Sequence, residues 1–340
     1  VVDLCTHQKY MKALVLNTNS FQLEETETPT LKEHQALVKV HYAALNHRDQ
    51  WIREGQYAKI QLPAILGSDG CGEVVQVADD ADKHWLGKEV IINPNISWGN
   101  NPQVQSKEYQ ILGMPAQGTL AEYIAVNTDR LHEKPEYLSA EKASALPLAG
   151  LTAYNALFNK GNAEKGMNIL ISGVGGGVAQ FAFIFAHAIE ANVFVTSSKG
   201  HVIETCKSLG AMDGANYTEK DAIKTLAKSV GGFDVIIDSA CGSGMNELIA
   251  ALKPGGKFVF YGATKGLPAD LNMRAIFWSH LQLLGSTMGS DDDFRNMLAF
   301  CKQHQVNPII DKTFSFTDAV AAFDRMKNGE QFGKIIVKVI

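Results

Sequence analysis

The first third of the chain, from Met11 to about Lys134, contains short runs rich in Val, Ile and aromatic residues. Gly, Pro and Asn separate these runs, and several of the runs alternate apolar with polar positions. This pattern is typical of strands joined by tight turns, and it predicts a compact, irregular, barrel-like β domain. The predicted strands cover residues 13–16, 36–42, 72–77, 88–93 and 121–126.

From about Pro135 the pattern becomes a buried apolar run followed by a helical stretch, repeated several times. Six short strands with helices between them predict an α/β fold with a doubly wound parallel sheet. The predicted strands are 168–172, 192–196, 215–217, 234–238, 257–261 and 280–284, and the clearest helices are 178–190, 202–209 and 221–230.

The last fifty residues contain amphipathic stretches at 293–304 and 317–327 and a final apolar strand at 334–340. Because the parallel sheet already has six strands, we expect this tail to return to the first domain. The predicted division is therefore 11–134 with 289–340 as one domain and 135–288 as the other. Residues 1–10 are expected to be a leader or an expression remnant, since Met11 opens the first strand.

Length, charge and cysteine spacing exclude several classes of function. The chain has 340 residues, which suits two domains, and its net charge of −5 comes without a Lys/Arg block, so neither nucleic acid nor an anionic membrane surface is an expected partner. No apolar run reaches the roughly 18 residues needed to cross a bilayer. Five scattered cysteines without Cys-x-x-Cys spacing disfavour a disulfide framework and a structural zinc site, and they indicate a cytoplasmic protein.

A glycine-rich stretch follows the predicted strand 168–172 and precedes a strongly apolar helix. Glycines at this point let the backbone approach a pyrophosphate, whose charge the helix N-terminus stabilises. The match to G-x-G-x-x-G is imperfect, and an ordinary flexible loop is the alternative; the position between strand and helix favours a dinucleotide site. The stretch is Gly173-Val174-Gly175-Gly176-Gly177-Val178-Ala179.

The end of the second strand of this series lacks the acid that an NAD-selective fold places there to bind the ribose. Ser197, Ser198 and Lys199 stand at this position instead. Two hydroxyls and an ammonium would bind a 2′-phosphate, so the sequence favours NADPH. The alternative interpretation is that Ser198 only caps the next helix.

Taken together, these stretches resemble the medium-chain dehydrogenase/reductase superfamily, and most closely its zinc-independent quinone oxidoreductase branch, with zeta-crystallin-like and enoyl-reductase-like members. The resemblance runs in order from Met11 to Ile340 and implies a GroES-like domain split around a Rossmann domain. It rests on LPLAGLTAY at 146–154 before the glycine loop, NHRD at 46–49, GQY at 55–57, LPAILGSDGCGEVV at 62–75 and GKIIV at 333–337.

The chain departs from the zinc alcohol dehydrogenases of this superfamily at the metal ligands. Asn46 stands where those enzymes have a catalytic Cys, and Gly67-Ser68-Asp69 replaces their Gly-His-Glu. The segment 93–118, where their four-cysteine lobe would fall, contains no cysteine. Because a zinc site needs thiolate, imidazole or carboxylate ligands, the resemblance implies an enzyme without a metal.

Without zinc, the resemblance implies hydride transfer from NADPH to a small molecule that accepts hydride readily, a quinone or an α,β-unsaturated carbonyl. It makes Tyr57 a candidate proton donor, with pocket lining as the alternative. Asn46 would hydrogen-bond the ribose or the substrate oxygen. The competing functions are an NADPH-binding structural or regulatory protein with little turnover, and a zinc-type alcohol dehydrogenase.

The resemblance also implies a homodimer or homotetramer, and it places further residues at the cofactor. Phe277 and Trp278 are expected to be buried, as pocket wall or dimer surface. The implied cofactor-binding residues are Asn46, Thr152, Gly175, Gly176, Gly177, Val178, Ser197, Ser198, Lys199, Tyr217, Ser239, Gly262, Ala263, Thr264, Ser286, Thr287 and Lys334.

Overall fold

The structure, a computed structural model, describes residues 9–340 and divides into two compact units. One unit comprises the described residues up to Leu148 together with Ile310–Ile340, and the other comprises Ala149–Ile309. Most of the expected leader lies outside the described residues. Tyr10 pairs with Glu27, so the first strand begins one residue before the predicted Met11.

The helices and strands are given in chain order. The elements up to residue 144 are β1 Tyr10–Leu16, β2 Phe21–Glu27, β3 Gln35–Ala44, α1 His47–Arg53, β4 Ala64–Ile65, β5 Asp69–Val77, β6 Glu89–Ile92, β7 Asn95–Ile96, β8 Gln110–Ile111, β9 Tyr123–Asn127, β10 Leu131–Glu133 and α2 Ala140–Ser144. Those that follow are α3 Pro147–Tyr154, β11 Asn168–Ile171, α4 Gly177–Ala188, β12 Asn192–Ser197, α5 Gly200–Ser208, β13 Asp213–Asn216, α6 Ala222–Val230, β14 Phe233–Asp238, α7 Met245–Ala250, β15 Leu252–Phe260, α8 Met273–Trp278, β16 Gln282–Gly285, α9 Asp291–His304, β17 Ile310–Ser315, α10 Ala319–Lys327 and β18 Lys334–Lys338.

The first unit is built on two antiparallel-rich sheets. A three-stranded sheet has the order β2-β1-β4, and a seven-stranded sheet has the order β10-β6-β5-β3-β18-β17 with β9 also paired to β3. The inward positions of these strands, such as Leu14, Val38 and Val74, are fully buried in one apolar core. The last strand joins this unit, because β18 pairs with β3 through Ile336 and Ala44.

The second unit confirms the predicted parallel sheet, with six strands in the order β13-β12-β11-β14-β15-β16. Ile169, Leu170 and Ile171 of β11 are fully buried, as expected for a parallel strand covered on both faces. The strand order reverses between β11 and β14. The carboxyl ends of these two strands therefore form the crevice where doubly wound folds bind ligands.

Helix α9 differs from the predicted domain division, since it belongs to the second unit and not to the first. Phe300 on α9 packs against Phe158 and Phe185, with ring centroids 5.1 and 5.3 Å apart. Amphipathic periodicity predicts that such a helix has a buried face, but it does not identify the core that covers the face. The second unit ends at Ile309, 21 residues after the predicted end at residue 288.

Phe277 and Trp278 are not buried within the chain, since their side chains are 64% and 79% exposed. A pocket wall is therefore wrong for them, and a dimer surface stays a prediction. They lie on α8, a helix of six residues that turns only Ile276 toward the apolar core of the unit. Such a short helix cannot bury two opposite faces. Among the described residues, no helix has the length and apolar character needed to span a membrane.

Candidate active site

The turn that leads from β3 into α1 is held by Asp49. Its Oδ2 accepts the backbone N–H of Asn46 at 2.8 Å, and the Asn46 carbonyl accepts the Asp49 N–H at 2.9 Å. Its Oδ1 accepts the N–H of Gly67 at 3.3 Å. Asp49 therefore fixes the backbone of Asn46, the N-cap residue of α1, and joins it to the start of the Gly67-Ser68-Asp69 segment.

A buried ion pair lies beside Asn46. The Nζ of Lys334 is 3.0 Å from Oδ2 of Asp69, and the two side chains are 2% and 0% exposed. Nζ also donates to Oδ1 of Asn46 at 2.7 Å and to the carbonyl of Leu45 at 2.8 Å, which uses all three of its N–H groups. Asp69 accepts two further bonds, from Nδ2 of Asn46 at 2.9 Å and from the N–H of Leu148 at 2.8 Å.

Desolvation by surrounding protein atoms shifts the pKa of two neighbouring groups. Removal from water raises the pKa of Asp49, and this effect outweighs the opposing charge of Arg48 and the hydrogen bond from Asn46. His47 has an exposed side chain, yet protein atoms crowd it closely enough that desolvation lowers its pKa, and the charge of Lys334 lowers it further. His47 is therefore a neutral imidazole near pH 7.

Tyr57 lies on the loop between α1 and β4 and is half buried. Its hydroxyl accepts a long hydrogen bond of 3.5 Å from Nε of Arg48. The guanidinium carbon of Arg48 also lies 5.1 Å from the centroid of the Tyr57 ring, a cation–π distance. The loop tyrosine is thus held by a residue of the preceding helix.

The residues at the position of a catalytic zinc site do not fit that metal. Asn46 and Ser68 offer an amide and a hydroxyl, and the carboxylate of Asp69 is already paired with the ammonium of Lys334. Zinc prefers thiolate and imidazole, and the ammonium would repel a second cation at Asp69. In residues 9–340 one cluster of three possible metal ligands occurs, the partly exposed group His34, Asp79 and Asp82, none of which belongs to this site.

The glycine-rich loop of the second unit crosses from β11 to α4. Gly173 has φ +61°, a left-handed conformation that favours glycine, and its N–H donates to Oγ1 of Thr196 at 3.1 Å. Gly176 is the N-cap residue of α4, and a Cβ built on it would meet no atom within 4 Å. The N–H groups of the first helical turn, which begins with Gly177 and Val178, have no partner within a helix, so this open space suits a phosphate group.

The ends of β12 and β13 bring four of the predicted residues together. Ser197 is buried, Ser198 is exposed, and Oγ of Ser197 accepts the N–H of Lys199 at 3.1 Å. The N–H of Tyr217 donates to the carbonyl of Ser197 at 3.3 Å, and the Tyr217 side chain is 43% exposed. The N-cap residue of α5 is Lys199, so Ser198 does not cap that helix.

The loops after β14 and β15 also pack together at the carboxyl edge of the sheet. The carbonyl of Ser239 accepts the N–H of Thr264 at 3.1 Å, and a Cβ on Gly262 would approach the same carbonyl to 3.0 Å. Ala263 lies between these two residues. Asp238 holds the β14 loop through its Oδ2, which accepts the N–H groups of Ala240 and Cys241.

Two buried polar atoms at this edge have no hydrogen-bond partner among the described residues, Oδ1 of Asp238 and Oγ of Ser286. Ser286 follows β16, next to the exposed Thr287. Nearby, Thr152 donates to the sulfur of Met288 at 3.5 Å. A bound dinucleotide could supply hydrogen-bond partners to these two atoms and place its phosphates at the open glycine-rich loop. The residues of this unit therefore fit such a cofactor.

The predicted site residues thus fall into two groups. Asn46 and Lys334 are in direct contact in the first unit, and Tyr57 of the same unit contacts Arg48 of α1. The remaining predicted residues lie in the second unit. Sequence reasoning missed the partnership of Asp69 with Lys334 and that of Arg48 with Tyr57. The sequence signal for these two residues is that Arg48 lies in the NHRD motif and Asp69 in the LPAILGSDGCGEVV motif. Neither motif indicates the partner.

A β domain interrupted by a doubly wound sheet that carries a glycine-rich loop defines a dinucleotide-dependent dehydrogenase or reductase. Comparisons with known proteins agree. The family described as alcohol dehydrogenase GroES-like domain matches residues 32–136, and the family described as zinc-binding dehydrogenase matches residues 177–303.

Individual relatives extend over nearly the whole chain. A zinc-type alcohol dehydrogenase-like protein of Leptosphaeria maculans is 34% identical over 94% of both chains. A 2-methylene-furan-3-one reductase of Solanum lycopersicum is 31% identical over 92% of this chain and 74% of its own. A crystal structure of an NAD-dependent alcohol dehydrogenase has a TM-score of 0.90 and 30% identity, covering 97% of this chain and 100% of its own.

The chain therefore belongs to the medium-chain dehydrogenase/reductase superfamily. Membership makes it an oxidoreductase that acts on a small molecule with a nicotinamide cofactor.

Proposed function

We propose that this enzyme is a zinc-independent reductase that uses NADPH to reduce a quinone or an α,β-unsaturated carbonyl. The observation that carries the proposal is the buried group of Asn46, Asp69 and Lys334: the amide of Asn46 stands where zinc enzymes of this superfamily have a Cys ligand, and it is bonded to both members of the ion pair. A polarising metal makes alcohol oxidation feasible. An active site that cannot bind such a metal favours substrates that accept hydride without it.

The bound cofactor supplies a hydride, and the protein supplies binding, orientation and protons. In quinones and enones, the charge that arrives at carbon delocalises onto oxygen, so a hydrogen-bond donor at that oxygen is enough to stabilise it. Tyr57 carries a hydroxyl that can donate such a proton. Asn46 keeps one amide hydrogen beyond the one given to Asp69, which suits a ribose or substrate oxygen.

Lys334 uses all three of its N–H groups within the first unit. They are donated to Asp69, Asn46 and Leu45, so a direct bond to a phosphate would require one of these to break. The phosphates are held by the second unit, by the loop residues Gly175, Gly176, Gly177 and Val178.

The cofactor preference rests on the end of β12. Ser198 is exposed, and the backbone N–H of Lys199 donates to Oγ of Ser197, so two residues with hydroxyls and one with an ammonium stand at the strand end where a 2′-phosphate would lie. Loss of one charge-assisted contact to phosphate costs about ten- to a hundredfold in affinity. Lys199→Ala should weaken NADPH by that factor and leave NADH unchanged, as measured by dissociation constants. Equal affinity of the wild type for both cofactors would contradict the preference.

The relatives point in two directions on substrate. Two of the three described above are named alcohol dehydrogenases, one of them zinc-type and one NAD-dependent. The Solanum lycopersicum relative is named for the reduction of a methylene group conjugated to a ketone. That activity supports the proposal, since it is a hydride transfer to an activated alkene. The absence of metal-ligand residues at Asn46 and Ser68 of this chain agrees with such a reaction.

The deciding experiment measures NADPH oxidation with a panel of quinones, enones, aldehydes and alcohols, in parallel with the zinc content of the protein. We expect turnover of quinones or enones that survives a strong chelator, with much less than one zinc per chain. Zinc at about one per chain, removed together with alcohol dehydrogenase activity, would refute the proposal. Tight NADPH binding without turnover would instead support a structural or regulatory role.

We further propose that the enzyme is a cytoplasmic homodimer or homotetramer. Among the described cysteines, Cys71, Cys206 and Cys241 are buried free thiols, which supports a reducing compartment. Self-association is supported by exposed apolar residues on α8 next to the outermost strand of the parallel sheet.

A further inference from the structure

Arg48 is a buried cation without a carboxylate partner. Only 7% of the residue is exposed, and in the described part of the chain its guanidinium makes no ion pair, since its contacts are with neutral oxygens. The nearest carboxylate, that of Asp49, acts on it through charge over a longer distance. An unpaired buried charge is costly, so its presence beside the proposed active site requires a reason.

The contacts of Arg48 account for four of its five N–H groups. Nη1 donates to Oγ of Ser68 at 2.7 Å and to the carbonyl of Leu112 at 2.9 Å, and Nη2 donates to the carbonyl of Met114 at 3.4 Å. Ser68 in turn donates to the carbonyl of Leu112 at 2.7 Å. These bonds fix the guanidinium plane and leave it unable to swing toward a substrate anion.

The fourth N–H, on Nε, points to the hydroxyl of Tyr57. Because arginine has no acceptor, the Tyr57 oxygen can only accept from Arg48, and its own hydrogen must point elsewhere. The ring lies over the guanidinium, so both the ring and the hydroxyl are held. Tyr57 lies on a loop between exposed neighbours, Gln56 and Ala58, and its ring also packs against the apolar core of the first unit. Core packing places the ring, whereas the bond from Arg48 fixes the hydroxyl, whose orientation would otherwise have to be set at the moment of reaction.

We propose that Arg48 is the positioning residue of the active site: it fixes the Tyr57 hydroxyl with its proton directed away from the protein, toward the substrate oxygen. Arg48 itself touches no substrate. The inference rests on the proposed function, because it assigns Arg48 a role in protonation by Tyr57.

The kinetic test uses Arg48→Lys, which keeps the charge but loses the Nε–H group that donates to Tyr57, and Tyr57→Phe. For an enone, Tyr57→Phe should lower kcat about a hundredfold and Arg48→Lys about tenfold, with KM and NADPH affinity changed less than about twofold. Combined with Tyr57→Phe, Arg48→Lys should cause no further loss. Arg53→Met is the matched control, because Arg53 lies on the same helix over the rings of Phe21 and Phe323.

A second readout does not depend on activity. In protein labelled with fluorotyrosine, the resonance missing from Tyr57→Phe identifies Tyr57 among the nine tyrosines. Arg48→Lys, and Arg48→Met if it folds, should shift and broaden that resonance, whereas Arg53→Met should leave it in place.

The outcomes separate the two proposals. A loss on Tyr57→Phe without a loss on Arg48→Lys, an additive loss in the double variant, or an unmoved Tyr57 resonance would each overturn the role of Arg48 and leave the proposed function standing. A wild type inactive with every quinone and enone would remove the proposed function, and the fluorine resonance would still decide whether Arg48 fixes Tyr57.

Discussion

At the scale of single residues, the pair of Asp69 and Lys334 has the largest energetic consequence. Both groups are withdrawn from water, and each compensates the charge of the other. Removing one partner of such a pair leaves an uncompensated buried charge and costs about 3–5 kcal/mol, whereas removing both often costs little. The pair also holds the side chain of Asn46 in place, because Asn46 contacts both partners.

We predict that Lys334→Met lowers the free energy of unfolding by about 3–5 kcal/mol and that adding Asp69→Asn recovers a large part of it. Urea denaturation followed by circular dichroism measures both variants. Lys165→Met is the control, because the pair of Lys165 and Glu190 is similarly short at 2.7 Å but 72% exposed on each side, and its denaturation midpoint should not move. A loss of stability that Asp69→Asn deepens would show that the two charges are not coupled.

Residue types alone gave part of this site. Asn46 and Ser68 predict that the metal ligands are absent, because zinc seldom binds an amide or a hydroxyl side chain. The pairing of Lys334 with Asp69 could not be predicted, since the two residues are separated by 265 positions and meet only after β18 has joined β3. The same holds for Arg48, whose carbonyl partners, Leu112 and Met114, carry no signal in their side chains.

At the scale of elements, the glycine-rich loop can be divided into a glycine needed for folding and one needed for binding. Gly173 has φ +61°, and a side chain there would be strained. Gly176 has φ −81°, which any residue adopts, and the space at its Cβ is open. The open space lies at the N-terminus of α4, where a phosphate would approach.

We predict that Gly176→Ala keeps the stability of the wild type but weakens NADPH binding about tenfold or more, because the methyl group enters the space of the phosphates. Gly173→Ala should instead cost about 1–2 kcal/mol of unfolding free energy. Calorimetric titration and urea denaturation measure the two effects. Gly255→Ala is the control for strain, since Gly255 has φ +78° in open space near the start of β15, at the opposite end of the sheet. Unchanged NADPH affinity in Gly176→Ala would place the phosphates elsewhere.

Element prediction succeeded where apolar runs were clear and failed where a strand was very short or mostly polar, as in β2. All six strands of the parallel sheet were expected, because its central strands, such as β11 and β14, are buried apolar runs between helices, which is a strong pattern. The two-residue strands β4, β7 and β8 were not, since pairs such as Asn95–Ile96 have no periodicity to detect. The core that covers α9 depends on tertiary contacts of Phe300, which a local pattern does not contain.

At the scale of the whole molecule, the second unit carries an exposed apolar surface of a kind that isolated proteins rarely keep. Leu267, Met273, Phe277 and Trp278 are between 62% and 85% exposed. In the described part of the chain, β16 pairs only with β15, so the other side of β16 presents free backbone groups. A second copy of the same edge, related by a two-fold axis, would satisfy those groups and cover the aromatic residues at the same time.

We therefore predict that the enzyme is at least a dimer and that Trp278→Glu turns it into a monomer that remains folded. Central tryptophans of interfaces often cost 2 kcal/mol or more when removed, about a thirtyfold loss of affinity, and a buried carboxylate would cost more. Because Trp278 is exposed in the chain by itself, its loss should not unfold the unit. Light scattering and sedimentation measure the mass. Met212→Glu, at an apolar residue that is 61% exposed and lies between α5 and β13, should leave the mass unchanged. A wild type that is monomeric at micromolar concentration, or a Trp278→Glu variant with the wild-type mass, would show that this surface is not the interface.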